Sequence, residues 1–506
     1  MVATSFEVLR EAAATWPDKA AVVENDEVVT FKDLQSRVLQ GARAFVRAGL
    51  AHGDRFAIWA PNSRRWQVAA LAGQAVGCVL VPLNTRFRRE EAEDILKRSG
   101  ARGILYVSEF LGVDYSGLVD TMSIDGLEHR VDLDAFEDWS PRGASDVLED
   151  RISAVSGDDI ADVLYTSGTT GAPKGVMCAH SQNIRVFRTW GSGVTLAQSD
   201  NYLIVNPYFH SFGYKAGWLA ALLTGATAFP LQTFDAQATL ALVDSARISF
   251  LPGAPTVFSS LLQHPNRNDC DTTSLRCAVT GAASVPVQLV KDMKYELGFD
   301  EVYTAYGLTE STGVVSLCSS GDDFETIANT CGRAMEGVEL RIVNSEGQAL
   351  CAGEAGEVWV RGFNVMKGYL DDAEATKATI TADGWLKTGD VGVLDERGYL
   401  KITDRLKDMY ICGGFNCYPA EIEQRLLAHP DIVDVAVRGE PDARLGEIGH
   451  AFVVAAEGAL EAEMIAWARA HMANYKVPRR VSFVDALPRN ASGKVQKFLL
   501  GAQETN

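Results

Sequence analysis

The run Tyr165-Thr-Ser-Gly-Thr-Thr-Gly-Ala-Pro-Lys-Gly175 most constrains what this chain can fold into. It follows Ile160-Ala-Asp-Val-Leu164, an apolar stretch that suits a buried strand. A strand running into such a loop suits a polyphosphate. Glycines let backbone N–H groups converge on phosphate oxygens, hydroxyls add donors, and Lys174 adds positive charge. A Walker loop is excluded, because that motif ends in Gly-Lys-Ser/Thr and Lys174 is followed by Gly175 and Val176. A plain surface turn would not need so many donors beside a lysine.

The chain's 506 residues call for two or more domains. Apolar runs such as Trp218 to Leu223 fall far short of a membrane span. Phe6, Leu9, Ala13 and Trp16 lie at helical spacing where a signal peptide would place a basic and then an apolar region, so the cytosol is expected. With 47 basic and 66 acidic side chains the net charge is −19, which opposes binding to nucleic acid or anionic membranes. Nine cysteines occur without a Cys-x-x-Cys pair or a histidine cluster beside them, so reduced thiols are expected rather than a metal site.

Strand-like and helical patterns alternate from the start, which predicts an α/β fold. Ala20-Ala-Val-Val23 and Glu27-Val-Val-Thr30 flank Asn25-Asp26 as a hairpin, and Thr30 to Asp33 opens a helix. Phe56 to Ala60, Val79 to Pro82 and Gly103 to Val107 read as further strands, and Glu137 to Asp159 as a polar connection. Asp404-Arg-Leu-Lys-Asp408, four of five residues charged, marks a change of style. Domains are therefore expected at 1–403 and 404–506. The second is a small α+β unit with helices at Pro419 to Ala428 and Glu461 to Met472, and strands at Ile432 to Arg438 and Ala451 to Ala455.

Further segments carry chemistry. Thr304-Ala-Tyr-Gly-Leu-Thr-Glu310 offers an aromatic face for a purine and a carboxylate for Mg²⁺. Thr388-Gly-Asp390 offers an acceptor for two ribose hydroxyls. Pro488-Arg-Asn-Ala-Ser-Gly-Lys494 places an ammonium near the C-terminus, where it can offset repulsion between two anions. In this order, with Asp404-Arg-Leu-Lys407, they resemble the motif series of the adenylate-forming superfamily, from Phe6 to Lys497: acyl-CoA synthetases, aryl-CoA ligases, luciferases and adenylation domains.

That resemblance implies a large N-terminal domain and a smaller mobile C-terminal one, with MgATP and CoA as co-substrates of a carboxylic acid. It implies that Thr166, Ser167, Gly168, Thr169, Thr170, Gly171 and Lys174 hold the phosphates. Gly281, Ala282, Tyr306, Gly307, Thr309, Asp390 and Arg405 would contact the rest of the nucleotide, and Glu310 with Thr166 the metal. Lys494 would be the adenylation lysine, Asp404 the hinge, and Gly413 and Gly414 part of the CoA channel. Asn206-Pro-Tyr-Phe-His-Ser-Phe-Gly-Tyr214 resembles the segment whose histidine lies near the carboxylate, which points to His210; a packed core histidine is the competing reading. His264 and His429, beside prolines, read as loop residues. Thr280-Gly-Ala-Ala283 lacks the glutamate often found in the family, leaving backbone contacts at Ala282 and Ala283.

The acyl pocket is expected at Phe212, Tyr214, Ala283 and Gly313. Small residues there, with Gly213 and Gly217, fit either a wide cavity or tight turns. Phe212-Gly-Tyr-Lys-Ala-Gly217, Ala278-Val-Thr-Gly-Ala-Ala283 and Lys407-Asp-Met-Tyr-Ile-Cys-Gly-Gly-Phe-Asn416 resemble bacterial synthetases of steroid-ring catabolism, which activate a bicyclic indanedione-propanoate. Tyr214 or Lys215 would then meet a ketone. The alternatives are a medium-chain or aryl acyl-CoA synthetase, an adenylation enzyme loading a carrier protein, and a non-catalytic nucleotide-binding protein.

Overall fold

The computed structural model describes residues 4–139, 147–166, 173–281, 285–405, 408–412, 415–442, 444–455, 460–489 and 495–501, with Arg405, Phe415 and Asn416 described by backbone alone. Among these the chain builds two large sheets, a four-stranded antiparallel sheet and a C-terminal five-stranded sheet. The α/β expectation holds.

The nine-stranded sheet is parallel at its centre. Glu301–Tyr306, Cys277–Gly281, Phe250–Pro252, Asn201–Ile204, Thr227–Pro230 and Ala20–Glu24 run side by side. Glu27–Thr30 closes one edge as the expected hairpin, and Asn25 and Asp26 take positive φ of 49° and 67°. Asn and Asp tolerate that region, and such a turn matches the strands' twist. Thr30 caps the helix Phe31–Arg47 by accepting from the Asp33 N–H at 3.1 Å.

The seven-stranded sheet runs Gly368–Tyr369, Lys174–Ala179, Ile160–Thr166, Val79–Pro82, Arg55–Trp59, Gly103–Tyr106, His129–Asp132. The helix Arg64–Ala75 has Trp66 to Ala75 buried, because it is sandwiched within the main core between the sheets. The connection read from Glu137 to Asp159 contains a helix, Leu148–Ala154, with Leu148 inserted into that core.

The four-stranded sheet, Val338–Val343, Gly356–Gly362, Leu386–Leu394 and Leu400–Arg405, carries the chain to the C-terminal unit. There Ile432–Asp442 pairs along Gly446–Ala455, and the helices Pro419–Leu426 and Glu461–His471 cover a separate core around Tyr410, Ile422, Val437 and Met464. All nine cysteines are described, and no disulfide joins them. Among the described residues no helix is long and apolar enough to cross a membrane.

Candidate active site

The expected phosphate loop joins two antiparallel strands, and Thr166 stands opposite Lys174 at its base. Ser167, Gly168, Thr169, Thr170 and Gly171 lie outside the described residues. At the base of the loop the Lys174 ammonium sits 4.9 Å from the centre of the Tyr369 ring. The Tyr369 hydroxyl donates to Glu310 Oε1 at 3.0 Å. Tyr369 thus links the loop lysine to the expected metal-binding carboxylate. Burial first, and then the Glu310 charge, push the tyrosine hydroxyl above its usual range, so it remains a donor. Tyr369 escaped the sequence reading. Only the register of Gly368–Tyr369 against Lys174–Ala179, with Val176 opposite Tyr369, reveals it.

The parallel strands Cys277–Gly281 and Glu301–Tyr306 end together, with Gly281 paired to Ala305. Ala282 and Ala283 lie outside the described residues. Tyr306, at the end of its strand, donates its hydroxyl to Asp390 Oδ2 at 2.5 Å. Asp390 is 4% exposed, and its backbone N–H donates to Thr388 Oγ1 at 3.1 Å. Across the antiparallel pair Asp390 faces Arg405. Two residues expected around one nucleoside, Tyr306 and Asp390, 84 positions apart, therefore meet between two sheets, and Arg405 is paired with Asp390 in strand register.

After Tyr306 the chain turns sharply. A Cβ on Gly307 would lie 2.1 Å from the Gly313 carbonyl oxygen, so only glycine fits. Gly313 itself has φ of +109°, and its Cα faces Phe187 and Ser211. Thr309 and Glu310 lie in the short 3-10 helix Thr309–Ser311. The Met366 N–H donates to the Glu310 carbonyl at 2.9 Å, and Thr312 Oγ1 donates to the Asn364 carbonyl at 2.7 Å.

Ser211 belongs to the His210 turn, so Gly313 brings that turn against the segment expected to contact the nucleotide. His210 caps the helical turn Ser211–Gly213, and its Nδ1 accepts from the Phe212 N–H at 3.2 Å. This assigns the proton of the neutral ring to Nε2. Burial pulls the imidazole down to about 4, while part of the residue stays accessible. His210 is therefore a neutral hydrogen-bonding group near pH 7. Phe212 packs against the main core, partly buried.

Tyr214 and Lys215 do not meet the expectation of a ketone contact. Both are wholly buried, inside the π-helical segment Tyr214–Leu219. The Tyr214 hydroxyl accepts from Gln74 Nε2 at 2.7 Å and donates to Asp162 Oδ2 at 3.3 Å. Lys215 Nζ lies 2.9 Å from Asp162 Oδ1, off the hydrogen-bond axis. Burial is the largest single influence and pulls the lysine down, but the Asp162 charge together with Cys178 outweighs it and holds the ammonium above its usual range. His429 is also more buried than a loop reading implies, with its ring edge-on to Trp467 at 5.4 Å.

At the entry to the C-terminal unit, Asp404 is 5% exposed and its Oδ2 accepts from the Ala420 N–H at 2.9 Å. Ala420 is in the first turn of the helix Pro419–Leu426, where a carboxylate is favoured. Gly413, Gly414 and Lys494 lie outside the described residues. Arg489 and Val495, on either side of the Lys494 segment, form an antiparallel bridge.

Among the described residues no group of three or more His, Cys, Asp or Glu forms a metal cage. Glu310 offers a single carboxylate, which fits a Mg²⁺ that keeps phosphate and water as its other ligands. A cavity of about 240 Å³ lined by His52, Arg55, Val79, Val163, Met177 and Leu370 lies on the opposite face of the phosphate-loop sheet and includes no expected site residue. Strand alternation explains this: Val163 and Met177 face it, while Asp162 and Cys178 face the Lys215 side.

The two-sheet architecture, the C-terminal α+β unit and the meeting of residues expected around a nucleoside fit an adenylate-forming enzyme. The model of the AMP-binding enzyme family matches residues 9–370, and that of the AMP-binding enzyme C-terminal domain matches residues 421–494. The chain belongs to the AMP-binding enzyme family. It is 50% identical over 491 residues to the 3-[(3aS,4S,7aS)-7a-methyl-1,5-dioxo-octahydro-1H-inden-4-yl]propanoyl:CoA ligase of Mycobacterium tuberculosis, covering 95% of each chain. To the ligase of the same name from Rhodococcus jostii it is 47% identical over 515 residues, covering 98% of each. Its fold superposes on the anthranilate CoA ligase AuaEII in complex with anthranoyl-AMP with a TM-score of 0.88 at 27% identity, covering 99% of this chain and 96% of that one.

Proposed function

We propose that this chain is an AMP-forming acid:CoA ligase acting on the bicyclic indanedione-propanoate. The observation that carries the reading is 50% identity over 95% of the length to a ligase of that name. The described site supports the chemistry. Tyr306 and Asp390 meet where a nucleoside would sit, with Arg405 paired to Asp390 in strand register, and Lys174, Tyr369 and Glu310 converge beside the phosphate loop.

In the first half-reaction a carboxylate oxygen attacks the α-phosphorus of ATP. An acyl-adenylate forms and pyrophosphate leaves. Bound Mg²⁺ supplies charge neutralisation on the phosphates, and Glu310 with Thr166 would hold it. Thr166, Ser167, Gly168, Thr169, Thr170, Gly171 and Lys174 bind the phosphates. Gly281, Ala282, Gly307 and Thr309 line the nucleotide, Tyr306 faces the adenine, and Asp390 and Arg405 hold the ribose. Lys494 offsets the repulsion between carboxylate and α-phosphate. Neutral His210 hydrogen-bonds near the carboxylate, with Phe212, Ala283 and Gly313 bounding the acyl group.

In the second half-reaction the CoA thiol attacks the acyl carbon. The thioester forms, the C–O bond to AMP breaks, and the thiol proton leaves. Splitting one acyl transfer into two activated steps lowers each barrier. The division into 1–403 and 404–506, pivoting at Asp404, allows the C-terminal unit to exchange Lys494 for Gly413 and Gly414 between the steps. Its separate core supports that division. The reading places the enzyme in the cytoplasm.

The test is product formation from MgATP, CoA and a panel holding the indanedione-propanoate, octanoate, palmitate, benzoate and a phenylpropanoate, read by mass spectrometry. Thioester on the bicyclic acid, with little on straight chains, is expected. Thioester mainly on octanoate or an aryl acid would overturn the substrate and keep the enzyme class. Adenylate without thioester would point to a carrier-protein acceptor, and no pyrophosphate on any acid would overturn the enzyme class.

A further inference from the structure

Lys215 and Asp162 form an ion pair that is 0% exposed on both sides. None of the reaction steps above uses it. Its place in the chain is informative. Asp162 lies on Ile160–Thr166, the strand that runs directly into the phosphate loop. Lys215 lies in Tyr214–Leu219, the π-helical segment that continues from the His210 turn. The pair therefore ties the two halves of the active site to each other across the main core.

The local backbone serves this grip. Successive side chains of an α-helix diverge by about 100°. Here Tyr214 and Lys215, adjacent in sequence, both reach the carboxylate of Asp162, one at Oδ2 and the other at Oδ1. Wider π turns, which recur at functional sites, allow it. Gly217 absorbs the distortion with φ −82° and ψ −107°, far from helical values. Asn183 Nδ2 donates to Asp162 Oδ2 at 2.6 Å and Gln74 Nε2 to the Tyr214 hydroxyl at 2.7 Å, so the carboxylate is held directly from two elements and, through Tyr214, from a third. A fold needing only stability would fill such a site with apolar side chains, which are often as stable as a buried pair.

We infer that Lys215 and Asp162 are positioning residues that fix the distance between the His210 turn and the strand feeding the phosphate loop. They touch neither acid nor nucleotide. They hold the carboxylate end of the acid pocket in register with the α-phosphate site, and a misplacement of about 1 Å there costs on the order of a hundredfold in rate. The inference rests on the adenylation reading, not on which acid is adenylated.

Lys215→Met alone leaves Asp162 buried without its counter-charge, and is expected to unfold at a clearly lower temperature. The deciding variant is therefore Asp162→Asn with Lys215→Met, which removes both charges and keeps the Asn183 and Tyr214 contacts. Its melting temperature is expected within about 3 °C of the parent. Its acid-dependent pyrophosphate release should lose about tenfold or more in kcat, while the ATP KM stays within about twofold. Amide hydrogen exchange over 211–219 should accelerate in the same variant. Parental kcat and parental exchange in the double variant would overturn the inference. If the parent enzyme releases no pyrophosphate with any acid, the adenylation reading fails by itself, and hydrogen exchange still decides the positioning role.

Discussion

Tyr369 stands between two charges of opposite sign, with its ring beneath Lys174 and its hydroxyl on Glu310. Removing the hydroxyl leaves Glu310 one hydrogen bond short and free to rotate. Tyr369→Phe is expected to raise the KM for MgATP about threefold to tenfold, since a hydrogen bond to a charged group contributes about 1.5–3 kcal/mol and only part of that reaches MgATP through Glu310. Titrating Mg²⁺ at fixed ATP checks the cause: the midpoint should shift upward, and an unmoved midpoint would separate Glu310 from the metal. Asp390 carries a heavier role. Asp390→Asn keeps the shape but removes the charge that accepts from Tyr306 and that would accept from a ribose. A loss of about 10- to 100-fold in kcat/KM for ATP is expected, whereas Tyr306→Phe should cost less than tenfold. At this scale the sequence pointed to side chains that the fold brings together where motif and chemistry coincided, as at Tyr306 and Asp390. It was unreadable at Tyr369 and Lys215, whose partners lie 59 and 53 positions away and are chosen by strand register and core packing.

Elements whose own residues dictate them were legible before the structure. The Asn25-Asp26 hairpin, the Thr30 cap and the proline-started helix at Pro419 each follow from local backbone chemistry. Elements dictated by burial were not. The π segment Tyr214–Leu219 has an ordinary apolar composition, and only the carboxylate it must reach explains its winding. The Leu148–Ala154 helix hid in a polar stretch because one leucine supplies its burial. Asp404 illustrates both cases. Its charged neighbourhood marked a boundary, yet it belongs to the strand Leu400–Arg405 and caps the next helix from there. Asp404→Ala is expected to lower the stability of the C-terminal unit by about 1 kcal/mol. If the residue is also the pivot, thioester formation from presynthesised acyl-adenylate should slow more than adenylation does. Equal slowing of both half-reactions would assign it to capping alone.

Over the whole molecule the family order of motifs was legible because each motif is a local loop, and the acid was legible only through the resemblance of three segments to ligases of that substrate, not from the chemistry of any single pocket residue. Acid sensitivity is a property of assembly. His180 starts the helix His180–Gly193 and is 1% exposed, with Ser5 Oγ 3.0 Å from its Nδ1. Burial pulls it down to about 4, and a helix N-terminus also disfavours a cation. Between about 6.5 and 4 the unfolded chain takes up a proton that the folded chain refuses, so stability is full above about 6.5 and falls as pH drops through that window. For His180 the loss reaches up to about 3 kcal/mol. Glu440 acts lower. Burial works to raise its carboxyl, but hydrogen bonds from His450, Arg438 and Arg480 outweigh it and hold it at about 2. Its contribution is present above about 4.5 and is lost as pH falls towards 2. Thermal midpoints at intervals from pH 7.5 to 4.5 separate the two. His180→Gln should lie below the parent at neutral pH and converge on it towards pH 4.5, because glutamine has no proton to take up. A constant gap across that range would show that His180 stabilises by packing alone.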